Sequence, residues 1–121
     1  MATVLRIAPE VPVSDLQRAL KFYEEKLGFE VVSLLPAGDY AVVERDDVAI
    51  HLFEAQGAVA SPSGLHIFTS ELDELYAELH QRGAPIVQDI VRKPWGNRDF
   101  RVNDAWGNQL KFTESLSDDA E

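Results

Sequence analysis

Apolar residues recur along this chain with two periods. In SDLQRALKFYEEKLGF (14–29), Leu16, Leu20, Tyr23 or Phe22, and Leu27 fall at the spacing of one helix face. Ser14 or Asp15 can cap that helix and Gly28 stops it, which predicts a helix over about 15–27. In SELDELYAELHQRGAP (70–85) the stripe is Leu72, Leu75, Tyr76 and Leu79, which predicts a second helix over about 71–82, capped by Ser70 and stopped by Gly83. The two segments read alike, and Ser14 and Ser70 stand 56 positions apart.

The flanks repeat as well. A β-prone run precedes each helix, TVLRIA before the first and GLHIFT before the second. Three more follow each: FEVVSLL, YAVVERD and VAIHLFE, then PIVQDIV, NRDFRVND and NQLKFTE. Asp46-Asp47 turns the first hairpin and Asp104–Asn108 the second, while AQGAVASPSG (55–64) links the halves. The order is βαβββ, written twice. The predicted fold is α+β: two modules, about 3–54 and 64–114, in one domain spanning 1–121. Curved mixed sheets surround a cleft, and helices cover the outer face.

Alternation assigns the faces. Val48, Ile50 and Leu52 oppose Ala49, His51 and Phe53; Leu110 and Phe112 oppose Gln109, Lys111 and Thr113; Leu65 and Ile67 oppose Gly64, His66 and Phe68. Each strand thus has an aliphatic face for a helix and a mixed face for a cleft. Phe22, Tyr23, Phe29 and Phe112 are assigned to the core. Gly107 and Asn108 read as turn chemistry, glycine for positive φ and asparagine for the turn.

Composition narrows the function. A chain of 121 residues with 45% hydrophobic and 26% charged residues is built for one core rather than for disorder. It has no cysteine, which removes disulfides, zinc–thiolate sites and thiol nucleophiles. With 21 acids against 11 bases, the net charge of −10 speaks against nucleic acid and favours a cationic partner, unless it only serves solubility. Part of that charge lies in SLSDDAE (115–121), an acidic tail expected to fray. No apolar run approaches the roughly 18–20 residues that span a bilayer. MATVLRIAPEV lacks the order of a secretory leader, so a cytoplasmic protein without membrane contact is expected.

Two motifs then point to a family. The run VSDLQRALKFYEEKLGF, and PWG-x-R-x-F-x-V-x-D-x-x-GN-x-L-x-F from Pro94 to Phe112, resemble the vicinal oxygen chelate superfamily. That group takes in glyoxalase I, fosfomycin-resistance enzymes, extradiol dioxygenases and bleomycin-resistance proteins. The resemblance covers about residues 3–114 and is nearest the bleomycin-resistance branch. Its enzymes hold a divalent metal on the mixed strand faces. Carried over position by position, the ligand places fall on Ala8, on His51, on Gly64 with His66 two residues on, and on Lys111. Ala8 cannot ligate, and the Lys111 ammonium would repel a divalent cation. No metal and no cofactor are expected.

The bleomycin-resistance branch implies a homodimer that sequesters a cationic antibiotic without breaking a bond. Its guest would stack on aromatic rings, for which the candidates are Trp95, Trp106, Tyr40, Phe53, Phe68 and Phe100. Polar anchors would come from Arg98, Lys111, His51, His66, Asn97 and Asn108. The alternative for Trp95 is a hairpin residue at the sheet edge, for Trp106 an exposed turn residue, and for His51 and His66 a structural imidazole. Exchange of the N-terminal strand between subunits is implied too, with Pro9 and Pro12 interrupting that strand. Other readings are a metal-dependent glyoxalase- or dioxygenase-like enzyme, a metal-free enzyme with His51 or His66 as base, and an accessory protein that carries a natural product.

Overall fold

The computed structural model describes residues 1–115. The elements run β1 (Glu10–Val13), α1 (Leu16–Glu25), β2 (Glu30–Leu34), β3 (Tyr40–Arg45), β4 (Val48–Glu54), β5 (Gly64–Thr69), α2 (Leu72–Gln81), β6 (Ile86–Arg92), β7 (Arg98–Asn103) and β8 (Gln109–Glu114). Both βαβββ modules are present as the periodicity requires. The acidic tail lies outside the described residues beyond Ser115.

Local chemistry sets the helix ends. The Asp15 carboxylate caps α1 by accepting from the Arg18 amide at 3.1 Å, and Gly28 leaves the helix at φ +75°. The second start differs from the expected Ser70 cap. The N-cap is Glu71, which makes no side-chain cap bond; instead the Thr69 hydroxyl accepts from the Glu71 amide at 3.1 Å. Glu71 holds the place that Asp15 holds in the first module, and Ser70 falls one residue too early. The longer glutamate does not close the short ring that aspartate closes.

Each module forms a four-stranded sheet, in the orders β1-β4-β3-β2 and β5-β8-β7-β6. The first strand of each module pairs parallel with the last, Glu10 opposite His51 and His66 opposite Lys111; the other pairs are antiparallel. The aliphatic faces meet the helices in one core that runs through both modules, from Val11, Leu16 and Tyr23 to Leu79, Phe100 and Leu110. A buried polar knot joins the modules. Tyr23 donates to Asp104 at 3.1 Å, and the Asn108 amide donates to the Pro12 carbonyl at 2.7 Å. Just beyond α1, Arg45 donates to the Leu27 carbonyl at 2.9 Å and pairs with Glu78 at 2.6 Å.

The first strand is the main correction. TVLRIA has strand chemistry, yet β1 is Glu10–Val13, and the β1–β4 ladder stops at Glu10 although β4 continues to Val48. One further bond, from the His51 amide to the Pro9 carbonyl at 3.0 Å, closes the pairing. Beyond Pro9 the chain leaves the sheet. Val4, Leu5 and Ile7 stand 93%, 92% and 93% exposed, an apolar arm with no strand of its own chain to join.

Candidate functional site

The mixed face of the first sheet carries Glu10 on β1, Tyr40 on β3, and His51 and Phe53 on β4. Register brings them together: His51 lies opposite Glu10 on one side, and Phe53 opposite Tyr40 on the other. The Tyr40 hydroxyl donates to Glu10 at 2.8 Å and meets His51 Nδ1 at 2.9 Å. Since that hydroxyl has one proton and gives it to Glu10, its contact with His51 is a hydrogen bond when Nδ1 donates. The hydrogen bond to Glu10, then burial, then the glutamate's charge, raise the Tyr40 phenol above its ordinary pKa. This face is acidic and aromatic.

The mixed face of the second sheet is different. A row runs across all four strands, His66–Lys111–Arg101–Gln88, with Phe68–Thr113–Asp99 beside it. Phe68 is 63% exposed and stacks on His66 with ring centres 6.2 Å apart. Asp99 is buried. It accepts from Gln88 at 2.6 Å and is shared by two cations at longer range, Lys93 at 3.6 Å and Arg101 at 3.7 Å. The Arg101 Nη1 reaches Gln109 at 3.5 Å, and its Nε is buried without a partner.

Six of the residues predicted for the site thus sit on these two faces: Tyr40, His51 and Phe53 on one, His66, Phe68 and Lys111 on the other. Trp95 is separate from both, 73% exposed in the β6–β7 loop. The other five are placed elsewhere. Phe100 is fully buried and stacks on Phe112, so it belongs to the core and is out of reach of a guest. Arg98 shares its side of β7 and reaches over to α2 and β8, bonding Asp73 at 3.0 Å and Glu114 at 2.7 Å. Those two carboxylates, Asp73 first, hold its guanidinium pKa above the ordinary value. Trp106 packs on the core from its turn, with the Arg18 guanidinium 5.8 Å from its ring centre. Asn97 bonds the Glu114 carbonyl at 3.1 Å, and Asn108 is buried in the knot between modules.

Glu10, Arg101, Asp99, Gln88 and Lys93 were not singled out from the sequence. The alternation of β7 carried the signal for two of them: Asp99 and Arg101 occupy the side opposite Arg98 and Phe100. A cavity of about 350 Å³ lies between the modules, lined by Leu27, Phe29, Ile67, Leu75 and Phe112 and bordered by Phe68 of the second face.

The donors at the family's metal positions do not suit a catalytic divalent ion. The last-strand place holds the Lys111 ammonium, with the Arg101 guanidinium opposite. His66 faces the Thr113 hydroxyl at 3.4 Å, and Glu10 and His51 are bridged by Tyr40. No cluster of three or more metal-ligating side chains occurs among the described residues.

Paired βαβββ modules, each a four-stranded sheet with a helix on one side and a polar, aromatic face on the other, define the class of fold. This chain belongs to the glyoxalase/bleomycin resistance protein/dioxygenase superfamily, whose family model matches residues 3–112. The bleomycin resistance protein of Geobacillus stearothermophilus is 26% identical over 132 residues, covering 93% of this chain and 98% of that relative. The bleomycin-binding protein of Streptomyces verticillus, solved with copper(II)-bleomycin, superposes with a TM-score of 0.81 at 26% identity, over 95% of this chain and 99% of that one. The bleomycin resistance determinant encoded on transposon Tn5 superposes at 0.83 with 21% identity, over 93% and 99% of the two chains, a likeness of fold. Among the described residues no helix is long and apolar enough to cross a membrane.

Proposed function

We propose that this protein binds and sequesters a bulky, ring-bearing cationic small molecule of the bleomycin type, in the cytoplasm, without transforming it. The observation that carries the reading is Lys111. A cation stands where a metal-dependent relative needs an anionic ligand, with a second cation opposite. The named functions of the relatives support the same reading. Tyr40, Phe53, Phe68 and Trp95 offer rings, His51 and Glu10 offer acceptors for a basic group, and the charge of −10 attracts it.

The working unit in this proposal is a homodimer. The exposed arm before Pro9 lays Val4, Leu5 and Ile7 on the partner, and the acidic face of one subunit stands across from the cationic face of the other. Residues 1–8 make no strand in their own chain, which supports exchange.

Bleomycin titrated into the protein tests this by calorimetry and tryptophan fluorescence. The expected result is saturable binding that weakens with salt, with the antibiotic recovered unchanged by mass spectrometry. Trp95→Ala should weaken binding about tenfold, the loss of one stacked, partly dry ring. Absence of binding, or conversion of the antibiotic, overturns the reading; a wild-type affinity in the Trp95 variant removes that residue from the site. Sedimentation of a chain lacking residues 1–8 tests exchange, which predicts loss of the dimer.

A further inference from the structure

The second sheet's mixed face holds a conflict that none of the described residues resolves. Lys111 on β8 and Arg101 on β7 are direct cross-strand partners. Like charges in that relation destabilise a sheet. Two other half-buried cations are handled differently: Arg45 closes on Glu78 at 2.6 Å, and Arg98 on Glu114 at 2.7 Å. Arg101 has only long contacts, 3.5 Å to Gln109 and 3.7 Å to Asp99, and a buried Nε without a partner. Asp99 is already spoken for by Gln88 and shared with Lys93. Lys111 has no ion pair among the described residues. Its ammonium lies over bare backbone, 3.9 Å from where a Cβ on Gly64 would stand. On a molecule of net charge −10, this face sets Lys93, Arg101 and Lys111 against one carboxylate among the described residues, Asp99.

We propose that Lys111 and Arg101 form an oxyanion subsite, which takes a carboxylate, sulfonate or phosphate carried by the guest. An oxyanion between the two head groups would receive a point-charge contact from the ammonium and fork donors from the guanidinium, and would cancel their repulsion. The Phe68–His66 stack stands beside it, so an anion attached to a ring gains both contacts at once. The guest is then amphoteric, its basic end at Glu10 and His51 and its acidic end here. The subsite stands on this face alone; only what the anion is attached to rests on the reading of the face as the wall of a guest cleft.

The test uses the full chain with its lysines reductively ¹³C-methylated, the Lys111 resonance being assigned with Lys111→Gln. Sodium sulfate is titrated against chloride at constant ionic strength, then 2-naphthalenesulfonate. The Lys111 signal should shift saturably with both, while Lys21 on α1 stays still. Naphthalenesulfonate should bind at least about tenfold more tightly, because its ring adds a stacking contact. Arg101→Gln should weaken both about tenfold or more, and Arg101→Lys, which keeps the charge and loses the fork, should weaken them less. A Lys111 shift no larger than that of Lys21, or saturation unchanged in both Arg101 variants, overturns the subsite. Equal affinity for the two probes leaves a free inorganic anion as the occupant and overturns its assignment to the guest. Neither probe is a cationic antibiotic, so failure here and failure of bleomycin binding are separate results.

Discussion

Replacing Asn108 by alanine should unfasten the two modules. The side chain is fully buried, and its amide nitrogen donates to the Pro12 carbonyl at 2.7 Å and to Asp104 at 2.8 Å, while its oxygen accepts from the Ser63 amide at 2.7 Å. Each bond contributes about 1 kcal/mol net, so the three together contribute about 3 kcal/mol. Truncation also leaves the Pro12 carbonyl inside without a donor, which costs about 1 kcal/mol more even if a water enters the gap. The expected loss is thus about 4 kcal/mol. A domain of this length unfolds with an entropy of about 0.25 kcal/mol/K, so Tm should fall by about 15 °C. Calorimetry or far-UV circular dichroism reads the shift, and urea unfolding should show a lower midpoint at an unchanged slope. A loss under about 1 kcal/mol would refute the argument, since it would mean that the knot between Pro12, Asp104 and Asn108 carries no net stability.

Two further expectations follow from the same structure. Burial first, then the charge and hydrogen bond of Asp104, raise the Tyr23 phenol well above its usual pKa of 10.0. The folded state therefore keeps a proton that the unfolded chain loses, and this contribution is complete below pH 10 and is lost as pH rises through the folded value. Stability should fall by about 1.4 kcal/mol per pH unit above pH 10, and Tyr23→Phe should flatten that slope; equal slopes in the two proteins would refute it. Arg98→Met should lower Tm modestly through the lost ties to Asp73 and Glu114 and leave the affinity for bleomycin unchanged, whereas a weakened affinity would return Arg98 to the site.

The helices, the hairpins and the duplication were legible because each is written locally, in a stripe, a cap or a turn residue. The first strand was not. TVLRIA has the right side chains, but a strand needs a neighbour, and whether residues 3–8 meet one depends on where Pro9 releases the chain. That shift of register also hid Glu10, which lies where His66 lies in the second module. On β7 the error was one of face. Arg98 and Phe100 stand in the most recognisable motif of the chain, yet period-two alternation turns them toward α2 and the core, and turns Asp99 and Arg101 toward the open side. Trp106 reads as an exposed turn residue only until the turn is seen to fold back on α1, where Arg18 covers its ring.

The duplication also explains why the two faces differ in chemistry and not in shape. Both sheets have the same strand order and the same parallel closure, so Glu10 and His66 are equivalent, as are His51 and Lys111. One pair is an acid and an imidazole, locked to each other through Tyr40. The other is an imidazole beside an ammonium, with Arg101 set against it. A divalent ion needs donors of one electrostatic sign converging on one point. Opposite signs on equivalent positions of the two sheets do not make such a point.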